Sequence, residues 1–235
     1  MPTVGIIAEY NPFHSGHLYH LQKARELTGA DHAVIVMSAS FVQRGEPAVL
    51  DKYTRARMAL ENGADCVIEL PSVFATGGAR TFASAAVSLL VKSHLVDSLV
   101  FGSESGDIKE LTTAAESLLD ESPAFTAALT KAQRAGASYP SALDSACLAT
   151  GKESLSELLA SPNNLLGVEY LKALKLCHSE IRPHTIKRLG DYNSETISEY
   201  PSALAIRQAW KTQAHDPSLM PLFADDFTAM LAHAL

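Results

Sequence analysis

The feature that most constrains this chain is the alternation, over its first hundred residues, of short apolar runs with apolar residues at helical spacing. The runs at 3–8, 32–37, 66–70 and 98–101 are nearly continuous and short, which predicts strands buried on both faces rather than helices. Between them, residues 18–27, 51–62 and 83–92 repeat apolar side chains every three or four positions, beginning with Leu18, Leu21, Ala24 and Leu27. Strands alternating with helices require a parallel sheet covered by helices, an α/β fold of Rossmann-like type. Asp51 is the expected cap of the second helix, and Gly63 follows its expected end.

After Gly102 the texture changes. Helical patterns at 107–119, 124–135, 141–149 and 154–159 succeed one another without a strand, so a helical insertion is expected over about 107–160. Asn163 and Asn164 open a further helix over 166–176, and 182–189 reads as a last strand. A polar loop then leads to Pro201 and a helix over 202–212, the start of a C-terminal helical segment spanning 191–235. Its apolar residues, Phe227, Met230 and Leu231 among them, have little sequence left to bury them, which suggests a C-terminally short form.

With 47% hydrophobic and 19% charged residues, a disordered or low-complexity chain is excluded. Nineteen Lys and Arg against 26 Asp and Glu give a net charge of −7, so a strongly basic nucleic-acid module is not expected, although local basic stripes remain open. Cys66, Cys147 and Cys177 stand far apart with no CxxC pair, the pattern of reduced thiols rather than of a zinc knuckle or disulfide framework. No apolar run approaches the ~20 residues of a membrane span, and no secretory leader is recognisable, so a cytoplasmic protein without membrane attachment is expected.

The most specific motif, Asn11-Pro12-Phe13-His14-Ser15-Gly16-His17, falls between the first strand and the first helix. Such a turn lies at the carboxyl edge of the sheet, where helix N-terminal amides face a ligand and favour phosphate. Gly16 lets the backbone approach that ligand. His14 and His17 can donate to phosphoryl oxygens and stabilise charge developing at an attacked α-phosphorus. Walker A and GxGxxG patterns are absent. Two plainer readings stand beside this one. His14, His17 and His20 are spaced by three like a metal-ligand run, though without an HExxH pattern, or they are loop donors with no catalytic role. His20 alone reads as a helix-surface residue.

HxGH after a first strand resembles the nucleotidylyltransferase (HUP) superfamily, which is related to class I aminoacyl-tRNA synthetases. The longer run from Val4 to His17 is similar to the bacterial tRNA(Met) cytidine acetate ligase family, and four further pieces agree in order and spacing. These are Phe41-Val42-Gln43-Arg44-Gly45-Glu46-Pro47-Ala48, Ile68-Glu69-Leu70-Pro71, Phe101-Gly102-Ser103-Glu104 and Pro162-Asn163-Asn164-Leu165-Leu166-Gly167. The resemblance spans residues 3 to about 210 and implies a nucleotidylyltransferase-like ATP-binding domain over 1–190. It also implies a ligase that makes acetyl-AMP from ATP and acetate, with Mg²⁺ accompanying the ATP and no protein-held metal. The acetyl group would then pass to N4 of the wobble cytidine of elongator tRNA(Met).

By the same resemblance His14 and His17 are the catalytic residues. Ile7, Ala8, Glu9, Tyr10, Asn11, Pro12, Phe13, His14, Ser15, Gly16, His17, Leu18, Tyr19 and His20 would enclose ATP. Gly102, Asn163, Arg188 and Ser202 would complete the pocket, with Arg207 one to two turns beyond Ser202. Gly102 has its own physical case, since a base or ribose can rest directly on its backbone. Asn163 reads equally well as a helix N-cap. Gln43 and Arg44 lie after the second strand, on the same sheet edge as HxGH, where they suit the acyl substrate or the nucleobase; Arg44 pairing with Glu46 is the alternative. Lys52, Arg55 and Arg57 read as a solvated face, or as a patch that steers RNA phosphates. A generic nucleotidylyltransferase acting on a small phosphorylated acceptor and a non-catalytic RNA-binding module are the rival functions.

Overall fold

The computed structural model describes residues 1–188 and 203–212. Five parallel strands, β1 (Thr3–Ala8), β2 (His32–Ser38), β3 (Cys66–Leu70), β4 (Ser98–Ser103) and β5 (Arg182–Lys187), form one sheet in the order β3-β2-β1-β4-β5. The helices are α1 (Ser15–Thr28), α2 (Lys52–Glu61), α3 (Ser72–Ala75), α4 (Ala79–Ser93), α5 (Ile108–Leu119), α6 (Pro123–Arg134), α7 (Tyr139–Ala149), α8 (Glu153–Leu159), α9 (Pro162–Leu176) and α10 (Ala203–Thr212). Every strand read from the apolar runs is present. The four-residue α3 is not legible in the sequence, because one turn carries no measurable periodicity.

The strands sort their side chains by parity. Val4, Ile6, Ala33, Ile35, Met37 and Val100 face α1, α2 and Ile206 of α10. Val34, Val36, Leu99 and Phe101 face α4, α9 and the helices between β4 and α9. Both sheet faces are dry, and this accounts for the unbroken apolar runs. Gly167 lets α9 reach β4: a Cβ there would lie 2.5 Å from the Phe101 ring. Asp51 caps α2 as expected, its Oδ1 accepting from Tyr53 N at 2.8 Å and Thr54 N at 3.0 Å, a contribution of about 1 kcal/mol. The charges buried in α9 are satisfied, since Glu169 Oε1 accepts from Lys172 Nζ at 3.0 Å and from Tyr139 Oη at 2.8 Å. Cys147 is buried, Cys66 and Cys177 are half-buried, and all three are free thiols. No described helix is long and apolar enough to cross a membrane.

Candidate active site

The chain passes from β1 outward to β2 and β3, then returns to place β4 on the other side of β1. Consistent with that reversal, β1 and β4 pair only at Val4↔Ser98 and Gly5↔Leu99, leaving a crevice toward their carboxyl ends. A cavity of about 260 Å³ fills it, bordered by the end of β1, the start of α1, the loop after β2, and the ends of β4 and β5.

His14 is the N-cap of α1: its Nδ1 accepts from Gly16 N at 3.1 Å while its carbonyl takes the amides of His17 and Leu18. With Nδ1 accepting, the proton of the neutral ring belongs on Nε2, which makes that nitrogen a donor. A Cβ on residue 16 would stand 3.0 Å from His14 Cε1, so the glycine keeps the capping ring in place. The His17 ring stacks on His14 at 3.7 Å between centroids and meets Tyr10 edge-on at 4.8 Å. Tyr10 Oη, His17 Nδ1 and His20 Nε2 are buried with no hydrogen-bond partner among the described residues. Buried polar atoms left open beside a cavity are what a polar ligand would complete.

The loop after β2 is fastened to the loop after β1. Gln43 N donates to Glu9 Oε1 at 2.7 Å, and Val49 N donates to Asn11 Oδ1 at 2.7 Å. Burial raises the Glu9 pKa, opposed by the Gln43 amide and by the charges of Arg207, Arg44 and Arg55. Arg207 Nη1 donates to Asn11 O at 2.7 Å, which docks α10 against the same loop. Arg55 departs from the solvated face expected of it: the side chain is wholly buried and donates to carbonyls at the ends of β1 and β2. It is therefore unavailable to RNA phosphates. Lys52 is committed to Glu69 at 2.6 Å.

On the far side of the crevice Glu104 receives the open amides of α9, Oε2 from Asn164 N at 2.9 Å and Oε1 from the Asn163 side chain at 2.6 Å. Ser161 is the N-cap position, so the capping role considered for Asn163 does not hold; Asn163 borders the cavity instead. A Cβ on Gly102 would come 3.3 Å from Arg188 Cγ, and both residues border the cavity.

A family model described as HIGH Nucleotidyl Transferase matches residues 1–234. The chain belongs to this family. It is 49% identical over 212 residues to the tRNA(Met) cytidine acetate ligase of Caldanaerobacter subterraneus subsp. tengcongensis, covering 89% of this chain and 53% of the relative. The ligase of the same name from Acetivibrio thermocellus is 47% identical over 212 residues, with 88% and 51% covered. The chain thus spans about half the length of the curated relatives it matches. Among solved structures, Thermotoga maritima TmcAL in an apo form superposes with a TM-score of 0.89 at 39% identity, and TmcAL bound with alpha-thio ATP with 0.86 at 40%. Each match covers 99% of this chain and 56% of the other. The fold and the relatives' names agree with the resemblance drawn from the motifs.

Of the residues expected around ATP, the fold brings Ile7, Ala8, Glu9, Tyr10, Asn11, His14, Gly16, His17, Tyr19, His20, Gly102, Asn163 and Arg188 to the cavity, with Gln43 and Arg44 beside them. Pro12, Phe13, Ser15 and Leu18 do not border it. Pro12 follows a cis peptide bond, Phe13 is fully buried in the core, and Leu18 packs against that core. Ser202 lies outside the described residues. His20, expected on the helix surface, is half-buried and turned to the cavity. Arg207, Lys187 and the aromatic wall of Phe82, Phe101 and Tyr170 also border it; Phe101 belongs to the Phe101–Glu104 piece and Arg207 was placed beyond Ser202, whereas no motif pointed to Lys187, Phe82 or Tyr170.

Burial lowers the pKa of all three histidines, with nearby cations adding to it: His14 to about 3, His20 to about 4, and His17 well below its usual value of 6.5. In the ligand-free protein all three rings stay neutral, which preserves the Nε2 donor of His14. Because the unfolded histidines take up protons first, stability should fall as pH drops below 6.5 toward the folded values, and these residues add no pH dependence above it. Thermal melts across this range check the sign, and a His14 resonance of the free protein titrating near its ordinary value would contradict it.

Proposed function

We propose that this chain forms the adenylate-making part of a cytoplasmic, ATP-dependent tRNA(Met) cytidine acetate ligase. The observation that carries this reading is one cavity joining the His14–His17 pair at the N-terminus of α1 to Gly102, in a chain nearly half identical to ligases of that name. In the first step an acetate oxygen attacks the α-phosphorus of ATP, the bond to the β-phosphate bridge breaks, and pyrophosphate leaves. This step makes little covalent demand on the protein, so catalysis is positioning plus neutralisation of charge. His14 Nε2–H and the His17 ring face the α-phosphate, and the positive end of the α1 dipole favours its negative charge. The nucleoside rests against Gly102 near Asn163. Arg188 and Arg207 face the departing phosphates, while Gln43 and Arg44 receive acetate from the β2 side.

In the second step N4 of the wobble cytidine of elongator tRNA(Met) attacks the acetyl carbonyl, AMP departs and N4 loses a proton. These 235 residues carry a net charge of −7, so basic surface elsewhere in the ligase would supply most of the tRNA affinity. Mg²⁺ arriving with ATP supplies further charge neutralisation on the triphosphate. Among the described residues no group of three or more His, Cys, Asp or Glu side chains is placed to hold a metal ion, and His14 spends Nδ1 on its own helix. Protein purified without added metal should therefore carry no stoichiometric transition metal, and its pyrophosphate exchange should require added Mg²⁺. Elemental analysis beside the exchange assay checks both; one equivalent of tightly held transition metal would revive the histidine metal site. Mass analysis of tRNA nucleosides after incubation with ATP and acetate tests the acceptor in the complete ligase. Acetylation at the wobble cytidine supports the reading.

A further inference from the structure

Arg55 is fully buried, yet it does not border the cavity. Its Nε donates to Leu50 O at 3.1 Å, Nη1 to Glu9 O at 2.6 Å and Ser38 O at 3.1 Å, and Nη2 to Ala39 O. These acceptors are carbonyls from three stretches of chain: the end of β1, the end of β2 with the residue after it, and the residue before the cap of α2. Only a planar guanidinium spans them, because an ammonium donates from a single point. The loop between Ala39 and Leu50 is otherwise tied to the β1 loop by the two amide bonds from Gln43 and Val49, and its tip, Arg44 to Pro47, is exposed. Arg55 therefore sets where both ends of this loop leave the core.

We propose that Arg55 is a positioning residue that seats the 39–50 loop, and with it Gln43 and Arg44, against the end of β1, and so governs the acyl side of the site without touching a substrate. The proposal rests on the reading that acetate enters beside Gln43 and Arg44. A residue that only maintained the fold would weaken both substrates together, whereas one that seats this loop separates them.

The test compares Arg55→Lys with wild type in acetate-dependent pyrophosphate exchange, in ATP binding by calorimetry, and in amide hydrogen exchange across 42–49. The acetate KM should rise about 10- to 100-fold, the scale seen when a supporting shell is removed, with little change in ATP affinity. Amide exchange should quicken in 42–49 and stay unchanged in β4. Loss of ATP affinity in step with acetate, or an unchanged acetate KM, overturns the proposal. Val49→Pro removes the amide donor to Asn11 from an exposed position and disturbs no buried charge. If Arg55→Lys fails to fold, this second variant must show the same acetate-only effect, and its absence overturns the proposal. If the wild-type chain shows no acetate-dependent exchange, the proposed function fails instead. The hydrogen-exchange comparison then still decides the role of Arg55: faster exchange in 42–49 supports it, and unchanged exchange overturns it.

Discussion

Replacing His17 with alanine should reduce acetate-dependent pyrophosphate exchange by about 10²-fold or more, the usual effect of removing one donor aimed at developing charge. The ring stands at the first turn of α1, stacked on the capping His14, and its Nδ1 has no partner among the described residues. It is thus placed for a ligand that the fold itself does not provide. Alanine also forfeits the contacts with Tyr10 and Phe13, so the melting temperature should fall, at about 2 to 4 °C for each kcal/mol lost in a chain of this size. Exchange kinetics, ATP calorimetry and a thermal melt on one preparation separate the two effects. Exchange near the wild-type rate in a folded variant would remove His17 from the chemistry.

Gly102→Val should weaken nucleotide binding about 100-fold rather than slow the reaction. Gly102 is not in the left-handed region, so it is glycine for space and not for backbone freedom. Valine suits a strand, and the nearest obstacle, Arg188 Cγ at 3.3 Å, belongs to a flexible side chain, so β4 should survive the change. The added methyls occupy room at the cavity wall where the nucleoside would lie. An overpacking cost near ~3 kcal/mol corresponds to about a 100-fold loss of ATP affinity. Calorimetry with ATP reads this directly; unchanged affinity would mean that the nucleoside lies elsewhere in the crevice.

Strands β1 to β4 were legible in the sequence because the sheet is covered on both faces, which makes them nearly unbroken apolar runs; the edge strand β5 is polar and partly exposed. The HxGH loop was legible because its residue types, their spacing and their place after β1 all agree. Individual side-chain directions were not. Arg55 reads as a surface charge since periodicity records residue type, whereas the four carbonyls that draw it inward come from residues 9, 38, 39 and 50. His20 sits one turn past the motif, and the direction of one helical side chain depends on how α1 rotates against the sheet. Glu104 belongs to a motif noticed for its neighbouring glycine, yet its work is to hold the first turn of α9, a contact across about sixty residues of chain. Conversely, Phe13 and Leu18 share the motif's stretch but pack in or against the core rather than border the cavity, because a contiguous segment cannot turn every side chain toward one cavity.

On the reading proposed above, this cavity joins ATP to a carboxylate at the α-phosphorus. Pyrophosphate exchange measured with this chain, ATP and Mg²⁺, with and without acetate and without any RNA, tests it most directly. Exchange should appear only when acetate is present, with acetyl-AMP detectable by mass in the same mixture. Exchange that ignores acetate and instead requires a small phosphomonoester would contradict it and point to nucleotidyl transfer onto a phosphorylated acceptor.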